Sequence, residues 1–137
     1  MGTVYTEITL RNARDVGNAK DGIIKESEIR QTAVRALVDT GAGSLIINEE
    51  VFAQLGLGVI GTRRTSYANG AKEVCRLTEP VEIHWKDRCT AQSATVVLNC
   101  SGVLLGAIPL EDMDLIVDPA RLALVGAHGD EVVTLVM

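Results

Sequence analysis

Every apolar run in this 137-residue chain is short, and turn-forming residues interrupt the sequence every few positions. Residues 3–10 alternate in strand fashion, and residues 28–38 form a second extended run that turns wholly apolar at Ala36, Leu37 and Val38. Residues 45–47 resume after a small-residue break, and 103–105, 115–117 and 122–125 are further short apolar runs. Asn69-Gly70 between two extended flanks is a strong hairpin signal and predicts positive φ at both turn positions. Residues 74–85 and 89–98 read as another hairpin, turning at Lys86-Asp87-Arg88.

Helical signals are few. Asn48 is a good N-cap for a helix over 49–55, with Glu49 and Glu50 in its first turn and Gly56 as its stop. Pro109 is expected to start a helical turn through Glu111, Asp112 and Met113. Residues 11–24 are polar, with Gly17, Asn18, Asp21 and Gly22, and read as a long loop or a loosely ordered hairpin. Many short strands with one or two short helices leave little room for α/β winding. The pattern predicts an all-β closed barrel or folded sheet in one domain over residues 1–137.

Composition narrows the function. Apolar residues make up 47% of the chain but only four are aromatic, Tyr5, Phe52, Tyr67 and Trp85, so the core must be built from Val, Leu, Ile and Ala. A net charge of -5 argues against a nucleic-acid partner, which requires a basic footprint. No apolar run reaches bilayer-spanning length, so no membrane partner is expected, and the N-terminus lacks the regions of a signal peptide. Met1-Gly2 through Thr6 fits a loose myristoylation pattern and Asn99-Cys100-Ser101 a sequon, both read as chance matches. Cys75, Cys89 and Cys100 are an odd number without a C-x-x-C pair, and neither His84 nor His128 stands in a metal-ligand spacing to them. All five read as ordinary residues of a reduced cytoplasmic protein with no metal and no cofactor.

Asp39 is the centre of the chemistry. An apolar strand delivers this carboxylate into a turn of small residues, Thr40-Gly41-Ala42-Gly43, and the apolar 45–47 leads away. Gly41 permits close backbone approach, and the Thr40 hydroxyl is expected to lock the turn by a hydrogen bond. An aspartate in an ordinary surface turn is the competing reading, weakened by the flanking hydrophobic strands. The acidic cluster Glu111-Asp112-Met113-Asp114 raises the question of a second carboxylate within the chain. At helical spacing a solvated face is the better reading for it, with a divalent-cation site as a remote option.

Leu37-Val38-Asp39-Thr40-Gly41-Ala42 resembles the active-site signature of retropepsin-like aspartic peptidases, and the chain is similar to their small single-domain prokaryotic members. Two further landmarks follow in order: the hairpin Tyr67-Ala68-Asn69-Gly70, where the family has its flap, and Leu104-Leu105-Gly106, matching its hydrophobic-hydrophobic-Gly element. The resemblance covers roughly residues 28–125.

The resemblance implies a retropepsin-like fold acting as half of a two-fold homodimer. Asp39, supported by Thr40 and Gly41, would be catalytic and would pair with Asp39 of a second subunit. Ala42 and the lid residues Tyr67, Ala68, Asn69 and Gly70 would meet a peptide or protein substrate, with Leu105 and Gly106 shaping the site from behind. Tyr67 resembles the flap tyrosine of pepsin-like enzymes, which retroviral flaps usually lack; a plain surface hairpin remains the alternative. Viral enzymes often carry an acidic residue at the position of Gly43 and Arg or a polar residue at that of Ala107, a pair that can brace the dimer. Both are missing here, so a differently braced interface is expected. The apolar residues 132–137 could join an intersubunit sheet or pair within the chain with residues 3–10. The alternative to an endopeptidase is a non-catalytic peptide-binding or assembly module on the same fold.

Overall fold

The computed structural model describes residues 2–136. β1 (Tyr5–Asn12) turns Ile8, Leu10 and Asn12 inward on alternate positions, as a pleated strand with one face on a core must. It pairs antiparallel with β2 (Gln31–Val38), Tyr5 opposite Leu37 and Arg11 opposite Gln31. β2 runs parallel to β7 (Val103–Leu105), which is antiparallel to β3 (Leu45–Ile47). β3 runs parallel to β6 (Arg88–Val96), and β6 is antiparallel to β5 (Lys72–Trp85). β5 then returns to β1, with His84 opposite Thr9 and Val81 opposite Asn12.

These strands close the expected all-β barrel, a ring of six. Closure removes the unpaired edges that an open sheet would present. β4 (Val59–Ser66) stands outside the ring, paired with β5 alone and standing over one end as a hairpin. β8 (Leu115–Asp118) and β9 (Ala123–Gly126) form a separate two-stranded sheet.

The core is aliphatic, as the composition requires. Leu10, Leu45, Ile47, Leu55, Ile83 and Leu105 are fully buried, and Trp85 is the one aromatic residue in the buried cluster. Each buried Leu or Ile stabilises the fold by about 1.5–3 kcal/mol relative to exposure. α2 (Glu49–Leu55) forms where the sequence places it. Asn48 Oδ1 accepts from the Val51 N–H at 2.9 Å, Gly56 takes the left-handed conformation (φ 57°), and Val51 and Leu55 pack inward.

Several expectations need correction. Residues 11–24 are not a loop: Arg11 and Asn12 complete β1, and α1 (Ala13–Lys20) follows, so the described residues hold three α-helices rather than one or two. The helix escapes a hydrophobic-pattern reading because polar groups anchor it. Asn12 Oδ1 accepts from the Asp15 N–H (3.1 Å) while Asn12 Nδ2 donates to the Leu55 carbonyl (2.8 Å). Buried Asp15 in turn accepts from Arg30 through Nε at 2.8 Å, a terminal nitrogen at 2.9 Å and the backbone N–H at 3.0 Å.

α3 (Ala107–Asp112) begins two residues before Pro109, which is tolerated because the first four N–H groups of a helix have no intrahelical acceptor. The Lys86-Asp87 turn is one residue shorter than expected, and Arg88 is a buried strand residue. Residues 132–136 form no strand in the chain, so the pairing with residues 3–10 is absent there; Leu135 and Val136 are exposed, and Met137 lies outside the described residues.

Candidate active site

β2 ends at Val38 and hands the chain to a turn whose hydrogen bonds are almost all main-chain. The Asp39 N–H donates to the Leu105 carbonyl (3.0 Å), so the turn begins as a continuation of the β2–β7 pairing. The Ala42 N–H closes the turn on the Asp39 carbonyl at 3.1 Å. Asp39 Oδ1 accepts from the Gly41 N–H at 3.0 Å, which orients the half-buried carboxylate. Two bonds lace the far side to the start of α3: Ala107 N–H to the Ala42 carbonyl (2.8 Å) and Ile108 N–H to the Gly43 carbonyl (2.9 Å). At Gly43 and Ala107, where the side chains of the viral brace are missing, backbone bonds to the neighbouring Ile108 and Ala42 tie the turn to α3 within the chain.

Thr40 corrects another expectation. It is exposed, and among the described residues its hydroxyl takes no part in the turn's hydrogen bonds; the Gly41 N–H holds the carboxylate instead.

An open cleft of about 740 Å³ lies between this turn and the β4–β5 hairpin. Asp39, Gly41, Ala42, Tyr67 and Ala68 line it. Thr40 does not, Asn69 and Gly70 sit at the exposed hairpin tip, and Leu105 and Gly106 are buried behind the turn. The sequence reading missed the apolar floor, Ile46, Val97, Leu104 and Ile108, and the arginines Arg63 and Arg64 on β4. Strand alternation was the available signal for the floor: Leu45 and Leu105 point into the core, so Ile46 and Leu104 face the other way.

The hairpin tip is one residue longer than a two-residue turn, with Ala68, Asn69 and Gly70 between Tyr67 and Ala71. Tyr67 N–H donates to the Ala71 carbonyl (2.8 Å) and Gly70 N–H to the Tyr67 carbonyl (2.9 Å). Of Asn69 and Gly70 only Gly70 has positive φ (86°), so Asn69 needs no left-handed backbone, and its side chain accepts from the Ala71 N–H at 2.9 Å. This is a turn followed by a glycine bulge. The Tyr67 hydroxyl donates to Glu73 Oε2 at 2.7 Å, and that bond to a carboxylate pushes the phenol up to about 12.

The acidic cluster is not a solvated helix face throughout, and it supplies nothing to the cleft. Asp112 accepts from the Thr90 hydroxyl. Asp114 Oδ2 binds His128 Nδ1 at 2.7 Å and the Val133 N–H at 3.0 Å, contacts that hold its carboxyl below the usual range, the His128 bond most of all. Among the described residues lining the cleft, Asp39 is the one carboxylate. His84 and Cys89, read as unrelated, face each other across the β5–β6 hairpin with Glu82 beside them.

A closed six-stranded barrel carrying an Asp-Thr-Gly turn beneath a hairpin defines the aspartic-protease class of fold. Residues 26–117 match the family described as "gag-polyprotein putative aspartyl protease", and the chain belongs to that family. Among solved structures it is similar to the EIAV protease complexed with the inhibitor HBY-793, at 18% identity and a TM-score of 0.58, over 81% of this chain and 88% of that one. It is also similar to the retroviral protease-like domain of Ddi1 from Leishmania major, at 15% identity and a TM-score of 0.57, over 91% of this chain and 88% of that one. At those identities the likeness establishes the retropepsin-like fold alone. No curated protein matches the sequence.

Proposed function

We propose that this chain is an aspartic endopeptidase whose catalytic dyad is Asp39 from each of two identical subunits. The observation that carries the reading is Asp39 itself: an oriented carboxylate in an open cleft with no second carboxylate among the described lining residues. One carboxylate cannot both activate a water and protonate a carbonyl. A two-fold axis beside the exposed Thr40 would bring a second copy into reach.

Two carboxylates about 3 Å apart share one proton, because both cannot ionise at that distance. The ionised member draws a proton from the water between them, and the protonated member donates to the scissile carbonyl as the tetrahedral intermediate forms. An extended substrate would lie along the cleft, its backbone meeting the β4–β5 hairpin by strand addition and its side chains reaching the floor of Ile46, Val97, Leu104 and Ile108. Closing Tyr67 and Ala68 over it would exclude water. The three free cysteines suit a reducing, cytoplasmic setting.

The test is cleavage of a complex peptide library between about pH 4 and 7, the acid-to-neutral range in which a carboxylate pair can hold one proton, with wild type beside Asp39→Asn. Cuts made by wild type and missing from the variant support the proposal. Absence of cuts in a sample shown to be dimeric at the assay concentration overturns it and leaves a peptide-binding module.

A further inference from the structure

On the outer face of the barrel, away from the cleft, the β5–β6 hairpin gathers three different metal-ligating side chains. His84 and Cys89 are directly opposed in the antiparallel register, and Glu82 lies two residues before His84, hence on the same face. Glu82 Oε1 is 2.8 Å from His84 Nε2, and Cys89 Sγ is 3.6 Å from the same nitrogen. The three donor atoms lie within 4.8 Å of one another. None of the three residues lines the cleft, so the proposed chemistry there makes no use of them.

We propose that Glu82, His84 and Cys89 form a zinc site. Thiolate, imidazole and carboxylate are the ligands this borderline-soft cation takes, and three protein ligands leave a fourth position for water or an outside donor. On a tetrahedral zinc, a thiolate sulfur and an imidazole nitrogen stand about 3.6 Å apart, and an imidazole nitrogen and a carboxylate oxygen about 3.3 Å. The sulfur–nitrogen separation already has that value, and the Glu82 oxygen, 2.8 Å from the nitrogen and within 4.8 Å of the sulfur, would draw back from its hydrogen bond to complete the set.

The surroundings favour the same assignment. Arg11 stands across from Glu82 in the β1–β5 register, yet its guanidinium goes to Gln31 Oε1 (2.9 Å) and Glu26 Oε1 (3.0 Å), leaving the Glu82 carboxylate to His84. The His84 and Glu82 side chains are 32% and 21% exposed, so a cation from solvent reaches them while the sheet fixes their positions. The sequence conceals the site because the Lys86-Asp87 turn reverses the chain between two ligands whose linear spacing belongs to no zinc motif.

The experiment is a Co2+ titration of the reduced full chain, followed by its thiolate-to-cobalt charge-transfer absorption, with Zn2+ added afterwards to displace the cobalt. A band that saturates at one equivalent per chain, bleaches with Zn2+, disappears in Cys89→Ser and His84→Ala, and persists in Cys100→Ser supports the site. No band, or a band that survives Cys89→Ser, overturns it. A second measurement needs no variant: Zn2+ should slow alkylation of Cys89 in wild type and leave Cys100 unprotected. Equal alkylation of Cys89 with and without Zn2+ also overturns the proposal.

Discussion

Gly106 lies so close to Ala42 that no side chain fits between them. A Cβ on Gly106 would stand 2.7 Å from the Ala42 carbonyl oxygen and closer still to that of Ser44. Both obstacles are backbone, so rotamer adjustment offers no relief. They are also backbone of the turn that carries Asp39, which the neighbouring Ala107 N–H binds at 2.8 Å. Gly106→Ala should therefore push the turn off α3, costing roughly 1–3 kcal/mol as overpacking does. Urea unfolding would show the lost stability, and the proposed peptidase activity should fall further than stability because Asp39 moves with the turn.

The proposed dyad takes one Asp39 from each chain, which predicts how activity responds to mixing. Asp39→Asn should lower kcat by at least about 100-fold, the usual scale for losing a general acid–base group. When wild type and variant subunits are mixed and allowed to exchange, heterodimers carry an incomplete dyad. Activity should then fall with the square of the wild-type fraction. A linear fall would mean that each chain works alone.

The elements that could be read from the sequence are those whose signals are local. Asn48 and Gly56 bracket α2 by capping chemistry, Asn69-Gly70 marks the β4–β5 hairpin, and the apolar strand before Asp39 marks the turn. What stayed hidden depends on partners far along the chain. α1 has no apolar stripe, and its anchor is the buried Asp15 bound to Arg30, fifteen positions away. Gly106 is legible as the glycine that closes Leu104-Leu105-Gly106, but its reason, the carbonyls of Ala42 and Ser44, appears only when β7 is laid beside β2 and β3. The cleft floor likewise comes from β3, β6, β7 and α3, which only barrel closure brings together.

Asp15 and Arg30 set part of the acid stability. The Arg30 side-chain hydrogen bonds hold the Asp15 carboxyl below the ordinary carboxylate range, outweighing the opposing effect of burial. A folded-state pKa below the unfolded one gives stability that is fully present above the unfolded value of about 3.9. It is lost as pH falls through the lower folded value. Asp15→Asn should cost roughly 2 kcal/mol at neutral pH, the scale of charge-assisted hydrogen bonds with a partly exposed partner. The difference between wild type and variant should shrink as urea unfolding is repeated toward pH 3, and a constant difference would count against this account.

Arg88 fastens the end of the chain to the barrel. It is buried, and its guanidinium donates to the carbonyls of Met113 (2.9 Å), Asp114 (2.8 Å), Gly129 and Glu131 (3.4 Å), so its charge is met by main-chain oxygens on two separate segments. Only a planar fork reaches acceptors spread in this way. Arg88→Lys keeps the charge but cannot span both segments, and it should destabilise the fold nearly as much as Arg88→Ala, by roughly 3 kcal/mol for lost bonds to a buried charge. The tail beyond Ala127 would lose its anchor first. Limited proteolysis read by mass spectrometry should therefore show early cuts after residue 127 in both variants, while the Asp39 turn, which Arg88 does not touch, stays protected. If Arg88→Lys resisted cleavage as wild type does, positive charge alone would hold the tail, and the geometry of the fork would be irrelevant to it.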